Sequence, residues 1–506
     1  MAKGSQTVLV GVGQAVNHWN GSQSPETAPS PLSMALEASN AAIADTGIDG
    51  LASHIDTIAF VRTFEDSIPN YPHAFGRNAN LPGSLARDLG ASPERAIYSG
   101  TGGQTPQALV LEMSNRILDG EIDIALVTGS EANLASKQAI RSGQKLDWSD
   151  DNDFPTEDRT LGERLLVRSE IKHGLVAPPR FYALMESAIA SEMGHTPAQH
   201  LDYMSEMFTK FSAVAKHNPY AQYGADRPAE YLKTPSPDNY PISSPFLKWH
   251  IAQDAVNQGA AVILMSEDKA NELGIAADKR VYLHGGAGAE DTMLIERQTF
   301  TQSKAMDIAL NGALDQAGVT QDEIGVFDLY SCFPCAVHCA SQVLGIDPLK
   351  DERPLTVTGG LPYFGGAGNN YSLHAIASMV ERMRAAPGTL GLVLANGGWM
   401  TKEAVGIYST TRPDTPVRFP PKVTIGDPVE VEPAPTSGTL EGYTVYFSKR
   451  GSVVAGAIAS CRTADGKRFM AIPSDSALSV LQNEDNPIGR SVTATTDNEV
   501  NTFSFS

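Results

Sequence analysis

At 506 residues the chain is too long for one hydrophobic core, so roughly two to four domains are expected. Its formal charge of −20 argues against nucleic acid or an anionic membrane as the main partner, because both need clustered Lys and Arg. No apolar run reaches the length of a membrane span, and the opening MAKGSQTVLVGVGQ has no signal-peptide core, so a cytoplasmic location is expected.

In chain order, residues 8–12 read as a buried strand, 36–44 as a helix ending in a left-handed cap at Gly47, and 55–61 as the next strand. Residues 95–99 enter the loop GTGGQTPQ, and a helix follows from about residue 107 to 118. Gly120 stops that helix before the buried strand 122–132. Alternating strands and helices predict a parallel sheet covered on both faces. From residue 133 to 240, charged, aromatic and proline-rich stretches surround two helices, 180–193 and 197–216, as in an inserted lid. The strand–helix style returns at 260–275.

The pattern then recurs. AMDIALNGALDQAGV (305–319) resembles MALEASNAAIADTGI (34–48). Each copy leads to a glycine loop, a helix and a strand with a small-residue turn: TGGQTPQ and GEIDIALVTGSEA in the first, GGAGNN and GTLGLVLANGGW in the second. The shared order suggests gene duplication and a pseudo-twofold pair of α/β halves. TRPDTPVRFPPK is a proline-rich linker, and residues 423–506 alternate β-formers with turns, as in a small barrel. The expected organisation is a first half (1–132), an inserted lid (133–255), a return to the first half (256–300), a second half (301–411), a linker (412–422) and a C-terminal β-domain (423–506).

Two stretches carry candidate chemistry. TVTGGLPYFGGAGNNYSLH (356–374) has the shape of a catalytic loop, with glycines leading into a helix over 371–385. Backbone N–H groups there can approach a ligand closely, and the helix dipole favours negative charge, which suits a thioester oxygen or a phosphate. A plain strand-to-helix turn would look the same. CFPCAVHCA spaces Cys332, Cys335 and Cys339 as C-x2-C-x3-C with His338 among them, a pattern compatible with an iron–sulfur or zinc site. No second cysteine pair exists and Cys461 is distant, so buried thiols on one helix face, with no metal, fit better.

Over roughly residues 6–410 the chain resembles the thiolase superfamily. AVNQGAAVILMSEDKANELGI is similar to the thiolase segment centred on Asp-Gly-Ala-Ala, with Gln258 in place of the Asp. ANGGWMTKEAVGIYST is similar to the C-terminal Cys-x-Gly-Gly region. GGQTPQ, YSCFP, TVTGGLPYFGG and the added β-domain together look like the type-1 thiolase-like proteins, relatives of the sterol-carrier-protein thiolases. The resemblance implies an α/β class, a duplicated thiolase fold of five layers (αβαβα), an inserted lid and a small OB-like barrel.

The resemblance also implies a chemistry that this sequence departs from. A thiolase needs a nucleophilic cysteine, a histidine to activate it, an oxyanion hole and a second cysteine to move a proton. The matching positions hold Gly103, Gly366, Tyr330 and Ala395, so ping-pong thiolase turnover is not expected. What survives is a binding architecture. Gly103, Gly365 and Gly366 are expected to leave room beside a thioester, while Tyr330, Ser331, Asn369, Asn370 and His374 are expected to face the cavity. Tyr330 is the one catalytic candidate, since thiolase-fold aldolases of steroid side-chain degradation use a tyrosine there as acid–base, which would call for a depressed pKa. A structural tyrosine, asparagines that hold the turn locally and a packed histidine are the plainer alternatives. The aldolases need a partner with a small barrel, of which the C-terminal domain is, by analogy, a fused counterpart. Lys449, Arg450 and Arg468 are candidates for CoA phosphates. The expected ligand is CoA or an acyl-CoA, with no permanently bound cofactor, no metal and no nucleic-acid partner, in a monomer or homodimer. Three readings stay open: a CoA-binding protein without thiolase turnover, an enzyme (a Tyr330-assisted C–C lyase or residual acyltransferase), and a non-catalytic scaffold.

Overall fold

The computed structural model describes residues 5–159 and 166–506; residues 1–4 of the opening stretch and 160–165 of the insertion lie outside the described residues. The first half runs β1 (Thr7–Val16), α1 (Pro31–Asp45), β2 (Thr57–Val61), α2 (Leu81–Leu89), β3 (Arg95–Tyr98), α3 (Thr105–Leu118) and β4 (Ile124–Ala132). α1 begins where Ser30 accepts the Ser33 amide and Pro31 pre-sets the first turn, and the chain leaves it at Gly47 with φ +76°. The insertion holds α4 (Asn133–Ser142), β5 (Thr156–Asp158), α5 (Arg168–Lys172), α6 (Pro178–Glu192), α7 (Pro197–Ala215), α8 (Ala229–Lys233), β6 (Pro241–Ser243) and β7 (Phe246–Leu247). β8 (Asn257–Ser266) and α9 (Glu267–Glu272) complete this half. The second half repeats the plan with β9 (Val281–Glu290), α10 (Lys304–Ala317), β10 (Ile324–Leu329), α11 (Pro334–Leu344), α12 (Tyr371–Ala385), β11 (Leu390–Gly397) and β12 (Lys402–Ser409).

Strand order reveals the duplication. The first half pairs as β1-β8-β4-β2-β3 and the second as β9-β12-β11-β10, and the halves join where β1 meets β9. Beside β10, the amides of Phe327 and Leu329 donate to the carbonyls of Pro354 and Leu355 at 2.9 Å, so the segment after α11 stands where β3 stands beside β2. α3 and α12 pack on each other between the two halves of the sheet, while α1 and α10 cover its outer faces, giving the five layers.

The sheet is not wholly parallel, which corrects the sequence expectation. β2–β3, β2–β4 and β10–β11 are parallel, but β8 runs antiparallel to β1 and β4, and β12 to β9 and β11. β8 enters from the insertion and β12 from a tight turn after β11, so neither arrives by the helical crossover that a parallel neighbour requires.

The insertion is woven into both sheets. β5 lies parallel along the outer edge of β3, and β6 meets the C-terminal domain with Ser243 opposite Tyr446. After β13 (Val423–Thr424), which joins β9, the C-terminal domain runs β14 (Ser437–Ser448), β15 (Val453–Arg462), β16 (Arg468–Pro473), α13 (Asp475–Asn483), β17 (Ser491–Asp497) and β18 (Val500–Phe505). Its strands close as β14-β15-β16-β18-β17-β14, with β16 and β18 parallel, which is the order of an OB barrel. Leu440, Phe469, Val492 and Phe503 fill it. It is fastened to α6 through the Tyr443 amide, which donates to Ser187 Oγ at 2.9 Å. Among the described residues no helix is long and apolar enough to cross a membrane.

Candidate functional site

The two glycine loops meet at the end of β10. Tyr330 follows that strand, 6% exposed, with its ring edge-on to Tyr371 at 5.4 Å. Opposite it, a Cβ placed on Gly103 would lie 2.4 Å from both the Tyr330 hydroxyl oxygen and the Asn396 carbonyl oxygen. The room expected at Gly103 is therefore already filled. Gly365, at φ +127°, faces Gln258 Oε1 and Val256 in the same way, at 2.6 and 2.8 Å from a built Cβ. Gly366 sits 3.3 Å from Ala252 and from the Gln253 carbonyl. These glycines permit close packing of backbone and side chains rather than an open cavity.

The polar candidates are buried and mostly engaged. Asn369 accepts from the Gly102 amide at 3.0 Å and donates to the Arg62 carbonyl and Ser67 Oγ at 2.8 Å each. These bonds cross between the halves of the molecule, so the side chain does more than hold its own turn. Asn370 donates to the Gly129 carbonyl at 2.7 Å, while its Oδ1 is buried without a partner. Ser331 Oγ accepts from the Leu361 amide at 3.3 Å. His374 Nδ1 meets Gln14 Oε1 at 2.9 Å; an amide oxygen only accepts, so the proton resides on Nδ1 and Nε2 is an unpartnered lone pair. Burial lowers the His374 pKa to about 3, which keeps it neutral.

Sequence reasoning missed the residue that shapes this loop. Asp328 Oδ2 accepts from Thr356 Oγ1 and the Val357 amide at 2.9 Å, and from the Thr358 amide and Oγ1 at 3.2 Å. Its Oδ1 accepts from the Tyr371 hydroxyl at 3.2 Å. Burial raises its pKa and these bonds oppose the rise. The available signal was the FDLY pattern, in which two-residue strand spacing places Asp328 on the same face as Tyr330. Ser372 was also missed; its hydroxyl donates to the Gly103 carbonyl at 2.8 Å and staples one glycine loop to α12.

Helix α6 closes the site from the insertion side. Phe181 stacks on Trp399 and Tyr182 on Phe333, each at 4.1 Å between ring centres. The Tyr182 hydroxyl donates to the Gly398 carbonyl at 3.2 Å and accepts from Asn396 Nδ2 at 3.3 Å. Beneath this cover, both carboxyl oxygens of Glu403, Gln104 Oε1 and Asn396 Oδ1 are buried without hydrogen-bond partners. Burial drives the Glu403 pKa far above the carboxylate range, against the pull of Arg297.

This environment corrects two further expectations. Burial raises the Tyr330 phenol well above its ordinary value, with Cys332 and Glu403 adding to the rise, so the depressed pKa of an acid–base tyrosine is absent. Arg468 is fully buried; it pairs with Glu441 and donates to the Ile295 carbonyl at 2.8 Å, so it has no charge to offer a phosphate. Lys449 and Arg450 are exposed at the β14–β15 tip.

The thiols are buried, as the sequence implied, and burial pushes Cys332 and Cys339 up to about 12 and raises Cys335 well above the ordinary thiol value. Such thiols stay protonated at neutral pH and are weak nucleophiles. Cys335 Sγ points to the Tyr182 carbonyl, Cys339 Sγ to the Thr301 carbonyl, and His338 Nδ1 to the Tyr203 hydroxyl, so they do not converge on a shared point. Among the described residues no three His, Cys, Asp or Glu side chains form a metal-ligand group.

Comparison with known proteins agrees with this architecture. A family model described as the thiolase-like protein type 1 additional C-terminal domain matches residues 422–499. A Ltp2-ChsH2(DUF35) aldolase shares 17% identity over 80% of this chain and 97% of its own, with a TM-score of 0.59, a likeness of fold alone. A probable acetyl-CoA acetyltransferase of Mycobacterium tuberculosis is 28% identical over 124 residues, which span 24% of this chain and only 29% of that relative. The crystal structure of a monomeric SCP2-thiolase-like protein type 1 from Mycobacterium smegmatis shares 34% identity over 100% of both chains, with a TM-score of 0.82. With that identity and coverage, the chain belongs to the SCP2-thiolase-like proteins of type 1.

Proposed function

We propose that the protein binds CoA or an acyl-CoA and does not carry out covalent thiolase turnover. The observation that carries this reading is the packing at Gly103, where the Tyr330 hydroxyl and the Asn396 carbonyl fill the space a cysteine side chain would need. The nearby thiols are buried and held protonated, and the only imidazole of the glycine loop, His374, is locked neutral against Gln14. These features support a reading without a covalent nucleophile, its base or a proton shuttle.

The binding half of the reading is supported by the retained thiolase-like framework and by an open, largely apolar cleft of about 510 Å³ beside the glycine loop. Val214, Tyr220, Val326, Val357 and Ser378 are among its lining, a largely apolar surface that suits an acyl chain or a pantetheine arm. β5 occupies the outer edge of β3, which removes one free edge from self-association and favours a monomer. A Tyr330-assisted lyase is disfavoured by burial, which raises the phenol well above its ordinary pKa. The test is calorimetric titration of the full chain with CoA and acetyl-CoA, paired with mass spectrometry of 3-ketoacyl-, 3-hydroxyacyl- and simple acyl-CoAs after incubation. Binding with every thioester recovered intact is expected; conversion of any of them that Tyr330→Phe abolishes would overturn the reading.

A further inference from the structure

The cations of the insertion and of the barrel gather at one place in a strongly acidic chain. Arg227 and Lys248 share a single indole: the Arg227 guanidinium lies 3.8 Å and the Lys248 ammonium 4.4 Å from the centre of the Trp249 ring. Arg227 is held there by Nη1, which donates to the Tyr223 carbonyl at 3.0 Å and the Ala225 carbonyl at 3.3 Å. The tip of the β14–β15 hairpin reaches the same spot, since a Cβ on Gly451 would lie 2.5 Å from Pro241, and Lys248 hydrogen-bonds back to Tyr240 at 2.9 Å. Burial, with the charges of Arg227 and Arg450 adding, holds the Lys248 ammonium below its usual range against the opposing pull of Asp238.

Two of the nearby acids are engaged with other cations, Asp226 with Lys216 and Glu230 with Lys233, and Asp238 is the acid that acts on Lys248. Among the described residues, Arg227, Lys248, Lys449 and Arg450 form no ion pair. The hairpin tip also holds Lys449 and Arg450 at φ +48° and +55°, a left-handed backbone that glycine adopts more easily, in the four-residue loop between Ser448 and Val453. Four crowded cations against the one carboxylate of Asp238 leave excess positive charge for an external anion, and guanidinium and ammonium together match the oxygens of a phosphate.

We propose that Arg227, Lys248, Lys449 and Arg450 form a phosphate-binding subsite that takes the phosphorylated nucleotide end of a CoA thioester. The assignment of the thioester rests on the binding reading above; the phosphate chemistry does not. Segment 217–227 connects the two parts of such a ligand, because His217 and Tyr220 line the apolar cleft at one end and Arg227 stands at the other. The Trp249 carbonyl, which accepts from the Tyr363 hydroxyl at 3.0 Å, ties the subsite to the glycine loop. The barrel hairpin thereby supplies part of the ligand site.

The test titrates the full chain with CoA, adenosine 3′,5′-bisphosphate and inorganic phosphate, in the wild type, in Lys449→Gln/Arg450→Gln and in Lys248→Met. The two tip residues are exposed, so the double variant is expected to melt like the wild type. Removing two charge-assisted contacts is expected to weaken CoA binding about tenfold or more, and added salt to weaken wild-type binding further. Equal CoA affinity in wild type and variants would overturn the subsite and leave the CoA reading standing. Binding of the bisphosphate that the variants abolish, with CoA no tighter, would support the subsite and sink the CoA reading. If neither CoA nor the bisphosphate binds the wild type, both are overturned.

Discussion

Gly103→Ala puts the packing at the glycine loop to a direct test. The added Cβ would stand 2.4 Å from the Tyr330 hydroxyl oxygen, 2.9 Å from Tyr330 Cζ and 2.4 Å from the Asn396 carbonyl oxygen, where ordinary contact begins near 3.4 Å. Each neighbour must retreat by about 1 Å. Tyr330 is braced by Tyr371, and the Asn396 carbonyl belongs to β11, so neither moves freely. Overpacking of this kind costs about 2–3 kcal/mol. With roughly 2.1 cal/mol/K of unfolding entropy per residue across about 400 residues, each kcal/mol corresponds to about 1 °C, so a drop in Tm of about 2–3 °C is expected by scanning calorimetry. Repeating the substitution in Tyr330→Phe removes one of the two oxygens in the way, and the penalty should shrink by about 1 kcal/mol as a coupling between neighbours. A Gly103→Ala protein that melts at or above the wild-type temperature, or one equally destabilised in both backgrounds, would refute the packing argument.

Other consequences follow from the same site. Gly103→Cys with Gly366→His should gain no thiolysis of acetoacetyl-CoA, followed by absorbance, because the new thiol enters space already occupied. Asp328→Ala strips a partner from Thr356, Val357, Thr358 and Tyr371 at once and should cost about 3–5 kcal/mol, with faster amide exchange at 357 and 358. Glu403 has a folded pKa far above the unfolded one, so its protonated form stabilises the fold at low pH and that contribution is lost as pH rises above the ordinary Glu range. Glu403→Gln should therefore raise Tm at pH 7 to 8 and change little near pH 4. His374 runs the other way: its folded pKa of about 3 gives stability that is full above 6.5 and lost as pH falls toward 3, so His374→Gln should flatten the acid limb of Tm against pH.

Much of the architecture was legible in the residues. The repeat of 34–48 at 305–319 marks α1 and α10, which occupy matching positions on matching strands, and the alternating pattern after residue 423 marks the barrel. Strand direction was not legible, because β8 and β12 are as apolar as parallel strands and only their connections set the sense. Of the candidate site, Tyr330, Gly103 and Asn369 do come together, yet the sequence suggested an open cavity where the structure packs one closed. That difference has a physical cause: a glycine records that something approaches the backbone closely but not whether it is a ligand or the protein itself. Asn396 and Glu403 lie inside the ANGGWMTKEAVGIYST stretch but carried no signal of their place in the site, and Tyr182 reaches it from the insertion, distant in the chain. The phosphate role given to Arg468 failed because a strand-borne arginine shows nothing in sequence of its buried partner, Glu441.

Intact-protein mass spectrometry after incubation with excess acetyl-CoA or acetoacetyl-CoA is the most direct measurement of whether this site has lost covalent chemistry. An unmodified chain mass, from protein that still binds CoA, is the expected result. A hydroxylamine-labile acyl adduct on Cys332 or any other cysteine would contradict it, and would mean that the buried thiols are reached and ionised in a state more open than the one described.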